Sequence, residues 1–215
     1  FDVKLSFVDR FGYPQMNKDG AYQTLYEYDD DGNQTMEASL NMAGDYMIDN
    51  YGNCGWESTY ENGYHVQSRY FDADGNYMRM PLLRADSEKV FGFRYEYDQY
   101  GRNIERRVIG INAEPDTNQF GVHKVKWEFN EYGYYTYQGF YDLNGNLHPG
   151  TKDGIAQVVC EFDDRGHATL IAYKDSSGNF VNNTEDSDDV YCSRQMTFGP
   201  DYLASQVDFV VDDDG

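Results

Sequence analysis

Large apolar residues alternate with polar residues along many short segments of the chain. In these segments, pairs of apolar side chains stand two positions apart with one polar residue between them. A spacing of two places both side chains on the same face of a β-strand. The clearest pairs are Tyr26 and Tyr28, Tyr95 and Tyr97, Trp127 and Phe129, and Cys160 and Phe162. No segment has helical periodicity with capping residues, so the pattern predicts an all-β protein.

A short turn motif follows most of these segments. An apolar or aromatic residue precedes an Asp, and a Gly stands three positions after the Asp. Such an Asp accepts hydrogen bonds from backbone N–H groups just ahead of it, and the Gly adopts the left-handed conformation of a tight turn. The copies have their Asp at Asp9, Asp29, Asp72, Asp98, Asp142 and Asp163. Weaker copies are predicted at Asn41, Glu61, Gly110, Asn130 and Asp175.

The turns recur at two alternating spacings, which indicates a tandem repeat. Asp9 and Asp29 are 20 residues apart, whereas Asp29 and Asn41 are 12 apart. One long and one short step make a repeat of about 34 residues, which we interpret as a β-hairpin with a turn-containing linker. The chain 1–215 is predicted to be a single array of antiparallel hairpins, either an elongated sheet, a superhelix or a solenoid. Its six units are 9–41, 41–72, 72–110, 110–142, 142–175 and 175–212.

The charge of the chain excludes several classes of partner. Asp and Glu number 38 against 17 Lys and Arg, which gives a net charge of −21. Nucleic acids and anionic lipids are bound mainly through Lys and Arg, so neither is expected as a partner. No apolar run approaches the roughly 18 residues of a membrane helix. Aromatic residues make up 17% of the chain, enough apolar surface to argue against disorder.

Neither catalysis nor a cofactor is predicted from the reactive residues. Cys54, Cys160 and Cys192 lack the paired spacing of a zinc site. A disulfide between two of them is an alternative that the sequence does not decide. The nearest Cys–His pair is Cys160 with His167, across one predicted turn. Asp29 and its neighbours could offer oxygen ligands to calcium, but turn chemistry already explains them. We therefore predict a non-enzymatic protein with no metal and no cofactor.

The aromatic columns are the candidate binding residues. Equivalent strands would align these rings across the repeats, where they pack in the core or form a face that binds a sugar or a peptide. The candidates are Tyr26, Tyr28, Tyr95, Tyr97, Trp127 and Phe129. Tyrosine suits either role, because it combines an apolar ring with a hydroxyl group.

The turn motifs resemble those of known bacterial repeats. The segments 28–33 and 97–102 are similar to the YD repeats of Rhs-type surface and toxin proteins. The alternating spacing, together with Pro14 two positions after Gly12, resembles bacterial Tyr-rich tandem repeats, and the aromatic hairpins are similar to cell-wall and glucan-binding repeats. The resemblance implies a non-catalytic β-array in a secreted or cell-surface protein, and so an extracellular location.

The first and last predicted strands, Phe1–Val8 and Ala204–Val211, occupy the same phase of the repeat. Their apolar edges, at Phe7, Val8, Phe209 and Val211, could pair with another strand. We therefore predict a structural or interaction module that self-associates end to end, more strongly at high salt because its charge is then screened. Another protein could also serve as the partner, and carbohydrate binding through the aromatic faces is the alternative function.

Overall fold

Alternating apolar and polar residues form an antiparallel β-sheet in this protein. The computed structural model describes residues 1–80, 89–184, 190–200 and 204–210. In these residues thirteen strands follow one another in the sheet in sequence order, which confirms the predicted all-β class of tandem hairpins. The strands are β1 (Asp2–Ser6), β2 (Gln23–Tyr28), β3 (Gln34–Leu40), β4 (Gly55–Glu61), β5 (Tyr64–Phe71), β6 (Gly92–Tyr97), β7 (Asn103–Ile109), β8 (Lys124–Phe129), β9 (Tyr135–Tyr141), β10 (Gln157–Phe162), β11 (Ala168–Lys174), β12 (Ser193–Phe198) and β13 (Ala204–Val210). The described residues contain no helix long and apolar enough to cross a membrane.

The hairpins share one local design. In β2 and β3 the register runs from Gln23 opposite Leu40 to Tyr28 opposite Gln34. A register shift lies just before the turn, between Glu27 and Tyr28. The same shift precedes the turn in the hairpins that begin with β4, β8, β10 and β12. Because a bulge bends a strand and increases its twist, these five hairpins approach their turns in the same way.

The linkers between hairpins fold back onto the strand they leave. Pro14 forms an isolated bridge with Val8, and the same six-residue step recurs after β3, β5, β7, β9 and β11. Further along the linker, Asn17 forms another turn, in which Gly20 N–H donates to its carbonyl oxygen and Ala21 N–H to its side chain. The sequence predicted a turn-containing linker here, and the structure shows a turn of the same kind as the others.

The chain divides into two compact units. The first consists of Phe1–Arg102 with Arg107–Gln119 and has two apolar clusters among its described residues. One cluster is Met36, Ala38, Cys54 and Phe71, with Leu25 and Tyr77 packed against it. The other is Val90, Phe93 and Val108, with Tyr70 and Tyr95. Each cluster draws on more than one hairpin, because a single hairpin cannot bury its own apolar face.

The second unit consists of Asn103–Arg106 with Phe120–Gly215. Its cluster of buried residues is formed by Ile155, Tyr173 and Tyr191, and three partly buried apolar residues pack against it. Its members come from the hairpin formed by β10 and β11 and from the linkers on both sides of that hairpin. The limits of the six predicted repeats stay a prediction.

Candidate functional site

The turn carboxylates hold the hairpin ends and linkers in place. In each strong copy of the motif, the Asp side chain accepts the N–H groups of the second and fourth residues after it, at 2.8–3.0 Å. The Gly N–H donates to the Asp carbonyl oxygen, and the Gly has a positive φ. Asn17, Asn41 and Asn130 bond in the same way through Oδ1. These turns therefore explain the recurrent acids without a ligand.

The copy at Gly110 keeps the turn although both key residues differ. Gly110 N–H donates to Glu114 O at 2.8 Å, which is the bond that an Asp N–H makes in the other copies. Ala113 stands in the position of the glycine, with φ +64°. The Glu114 carboxylate accepts the Asn112 N–H at 2.8 Å and so replaces one bond of the missing Asp side chain. The degenerate copy predicted here therefore has the expected turn.

In several turns, the side chain of the residue after the glycine adds a further bond to the carboxylate. Asn33, Arg102 and His167 lie 2.9, 2.6 and 2.9 Å from the second oxygen of their turn Asp. At Asp163 the side-chain hydrogen bond with His167 is the main cause that lowers the pKa of the carboxyl, to about 2. The ionised form of this Asp is therefore the one that the folded turn favours.

We predict that Asp163 contributes an acid-sensitive part of the stability. Because folding lowers its pKa from the ordinary 3.8 to about 2, its stabilisation is complete above pH 3.8 and is lost as the pH falls towards 2. Asp163→Asn keeps an acceptor, as Asn130 does in its own turn, but cannot titrate. Its free energy of unfolding should therefore depend less on pH in this window, whereas Asp163→Ala should be less stable than Asp163→Asn at neutral pH. Urea unfolding across the pH range measures both, and equal pH slopes in the wild type and Asp163→Asn would contradict the assignment.

All six predicted aromatic residues are half-buried in the structure. Tyr28 stacks on Phe1 with ring centroids 5.0 Å apart, and Tyr97 stacks on Tyr64 at 5.1 Å. The Tyr97 hydroxyl also donates to the His65 carbonyl oxygen at 2.8 Å. Tyr95 packs against the second apolar cluster of its unit. For these three residues, packing between neighbouring hairpins explains why an aromatic side chain stands at the position.

Similar stacks join other hairpins. Tyr134 stacks on Phe162 at 5.0 Å, and His167 stacks on Phe198 at 4.4 Å. In both, the residue after a turn glycine meets the last residue of a strand in the next hairpin. The sequence shows the alternation of these rings but not the stacking, because the partners are about 30 residues apart.

The predicted edge residues differ in exposure. Val8 is 57% exposed and Phe209 is 47% exposed, whereas Phe7 is half-buried. Val211 lies outside the described residues. All residues of β1, one edge strand of the sheet, are exposed. Val3 and Leu5 of this strand are further exposed apolar side chains, which the prediction did not include.

The three cysteines are free thiols, and all are buried. Burial raises the pKa of Cys54 to about 11 and also raises the pKa of Cys160, so the reactive thiolate is disfavoured in both. Cys160 lies opposite Ile171 in the sheet, whereas His167 bonds to Asp163. No group of three or more His, Cys, Asp or Glu residues in the described part of the chain could hold a metal ion.

A cavity of about 230 Å³ lies in the first unit, on the face of the sheet that carries Glu37, Trp56 and Tyr70. These three residues stand directly opposite one another across β3, β4 and β5. The linker segments 17–20 and 49–53 form its walls. The Tyr51 hydroxyl joins them by donating to the Asp19 carboxylate at 2.9 Å. The sequence pattern does not reveal this site, because its walls are about 30 residues apart in the chain.

Comparisons with known proteins give matches among solved structures alone. No protein-family model and no curated protein matches the chain. The crystal structure of TcdB2-TccC3-Cdc42 matches 92% of this chain with 14% identity and a TM-score of 0.41. The crystal structure of TcdB2-TccC3-TEV matches 99% of it with 15% identity and a TM-score of 0.38. The chain spans only 10% and 12% of those two chains.

Proposed function

We propose that this chain is a non-enzymatic structural repeat module that presents its edge strands to a protein partner, which we take to be a second copy. The observation that supports it most is the repetition of one packing design. In the described residues, the hairpins that begin with β2, β6, β8 and β10 share the same turn bonds, and five hairpins share the same bulge. The linkers fold back in the same way. Residues that recur in the sequence are therefore occupied in building the array, as expected of a repeat scaffold.

The proposed setting is a secreted or cell-surface protein of a bacterium. This part of the proposal rests on the resemblance of the segments 28–33 and 97–102 to YD repeats. Carbohydrate binding through the aromatic columns stays an alternative proposal. It is the weaker one, because the contacts of Tyr28, Tyr95 and Tyr97 already serve packing.

Strand β1 is suited to pairing with another strand. Phe7 N–H donates to Tyr22 O, and Tyr28 N–H donates to Phe1 O. Bonded positions alternate in an antiparallel pair, so the N–H and C=O groups of Lys4 point away from β2. Exposed Val3 and Leu5 add an apolar surface to this edge. Such an edge is a template for strand addition, and the net charge of −21 opposes contact between copies.

We predict end-to-end self-association that strengthens with salt. Sedimentation velocity at low and high ionic strength should show species that grow with protein concentration and with salt, because screening reduces the repulsion. Lys4→Pro removes an outward N–H from the edge without removing a bond to β2, so it should weaken the association. Lys4→Gln is the matched control, because it loses the same charge but keeps the N–H.

The size of the assembly tests the form of the contact. Growth beyond a dimer is the expected result, since a head-to-tail contact need not close. If assembly stops at the dimer, the contact uses only one edge strand of each copy, and this result would contradict end-to-end association. A monomer at both salt concentrations, even at high protein concentration, would contradict self-association altogether.

A further inference from the structure

The cavity of the first unit has a lining that is both aromatic and acidic. Aromatic rings and carboxylates share it, and none of the lining residues in the described part of the chain is Lys or Arg. The rings are those of Tyr51, Trp56 and Tyr70, and the carboxylates are those of Asp19, Glu37 and Asp49. At about 230 Å³ it is smaller than the pockets that take drug-sized ligands, which indicates a small ligand or one group of a larger molecule.

The walls of the cavity are fixed by hydrogen bonds between successive linkers. Asn50 N–H donates to the Asp19 carbonyl oxygen at 2.8 Å, in addition to the bond from Tyr51 to the Asp19 carboxylate. Asp49 accepts the Tyr51 N–H at 2.8 Å. A pocket whose walls are already held in place loses little entropy when a ligand enters.

One buried polar side chain in the lining has a weak partner. Asn53 is only 5% exposed, and its Nδ2 lies 3.1 Å from the sulfur of Met80. A thioether is a poor hydrogen-bond acceptor, so the amide keeps capacity to donate to an oxygen that enters the cavity. This buried amide is an observation independent of the carboxylates.

The electrostatics of the cavity favour a positive charge. Burial raises the pKa of Asp49, and the negative charge of Asp19 adds to the effect. A cation beside these two groups would relieve the repulsion between them. Aromatic faces also attract cations, most strongly the face of Trp.

We propose that this cavity binds an organic cation, a substituted ammonium group held against the Trp56 ring and among the three carboxylates. A hydroxyl group on the same molecule would accept the hydrogen bond of Asn53. This function goes beyond the structural module and does not depend on it, because every residue of the cavity lies within one copy of the first unit.

Tryptophan fluorescence tests the proposal directly. The chain has two Trp residues, so Trp127→Phe leaves Trp56 as the single reporter. Choline should change the emission of Trp56 with a dissociation constant on the order of 1 mM. Added NaCl should weaken the binding, because it screens the attraction between choline and the carboxylates. The complementary variant Trp56→Phe reports from Trp127 in β8, outside the cavity, and its emission should not respond to choline.

The neutral isostere 3,3-dimethylbutan-1-ol and glucose are the comparison ligands. Both should bind at least tenfold more weakly than choline, because neither carries a charge. In the Trp127→Phe background, Glu37→Gln should weaken choline binding about fivefold. Glu128→Gln, an exposed site on β8, should not change it. Circular dichroism confirms that each variant is folded before titration.

Four results would overturn the proposal. The first is unchanged Trp56 emission with choline, the second an equal response to the neutral isostere, and the third an equal affinity in Glu37→Gln. The fourth is tighter binding of glucose than of choline, which would assign the cavity to carbohydrate. None of these outcomes bears on self-association, which is measured by sedimentation.

Discussion

Replacing Gly55 with alanine is expected to lower the free energy of unfolding by about 3 kcal/mol or more. A Cβ atom at this position would lie 2.0 Å from the Glu37 carbonyl oxygen and 2.9 Å from the Ala38 Cα. Both atoms belong to the backbone of β3, so no side-chain rotation can remove the clash. The substitution must push β4 away from β3 and disturb the cluster that includes Ala38 and Phe71.

Two other glycines provide the comparison for Gly55. Gly92 has the same contact, with a Cβ 2.1 Å from the Ser68 carbonyl oxygen, so Gly92→Ala should be equally costly. Gly145 has open space around it but a φ of +83°. Gly145→Ala should therefore lower the free energy of unfolding by only roughly 1–2 kcal/mol, which is the cost of a left-handed backbone at a residue with a Cβ. Urea unfolding followed by circular dichroism measures all three. If Gly55→Ala lowered the free energy of unfolding no more than Gly145→Ala, this would contradict the close approach of β4 to β3.

Phe71→Ala is expected to cost about 3–5 kcal/mol of the free energy of unfolding. Phe71 is 2% exposed and belongs to the cluster with Met36, Ala38 and Cys54. Its ring also meets that of Tyr46, with centroids 5.7 Å apart. Truncation would leave a cavity between β3, β5 and the linker, and the turn bonds around it prevent a full collapse.

Phe11→Ala is the matched control for Phe71→Ala. Phe11 is 70% exposed at the tip of a turn, so its truncation should change the stability by less than about 0.5 kcal/mol. Phe71→Leu should recover part of the loss, because it restores much of the buried volume. Equal costs for Phe71→Ala and Phe11→Ala would show that the cluster does not stabilise the fold.

The local chemistry of the chain was sufficient to predict its turns. An Asp three positions before a Gly can bond to the backbone ahead of it whatever the rest of the chain does. The copy at Gly110 has neither the Asp nor the Gly, but its place in the spacing of the repeat predicts the turn, which Ala113 and Glu114 close. The period-two alternation then predicted strands, so the sequence alone determined the all-β class and the succession of hairpins.

Tertiary structure decided which residues of different hairpins meet. The stack of Tyr64 on Tyr97, the approach of Gly55 to β3 and the cavity beside Trp56 all join residues that lie far apart in the chain. Half-burial alone did not separate Tyr97, which packs against its neighbour, from a ring that binds a ligand. Such contacts depend on the register between strands, and a shift of one residue turns every side chain to the opposite face. Turn bonds act within five residues and do not determine that register, which packing between the hairpins selects.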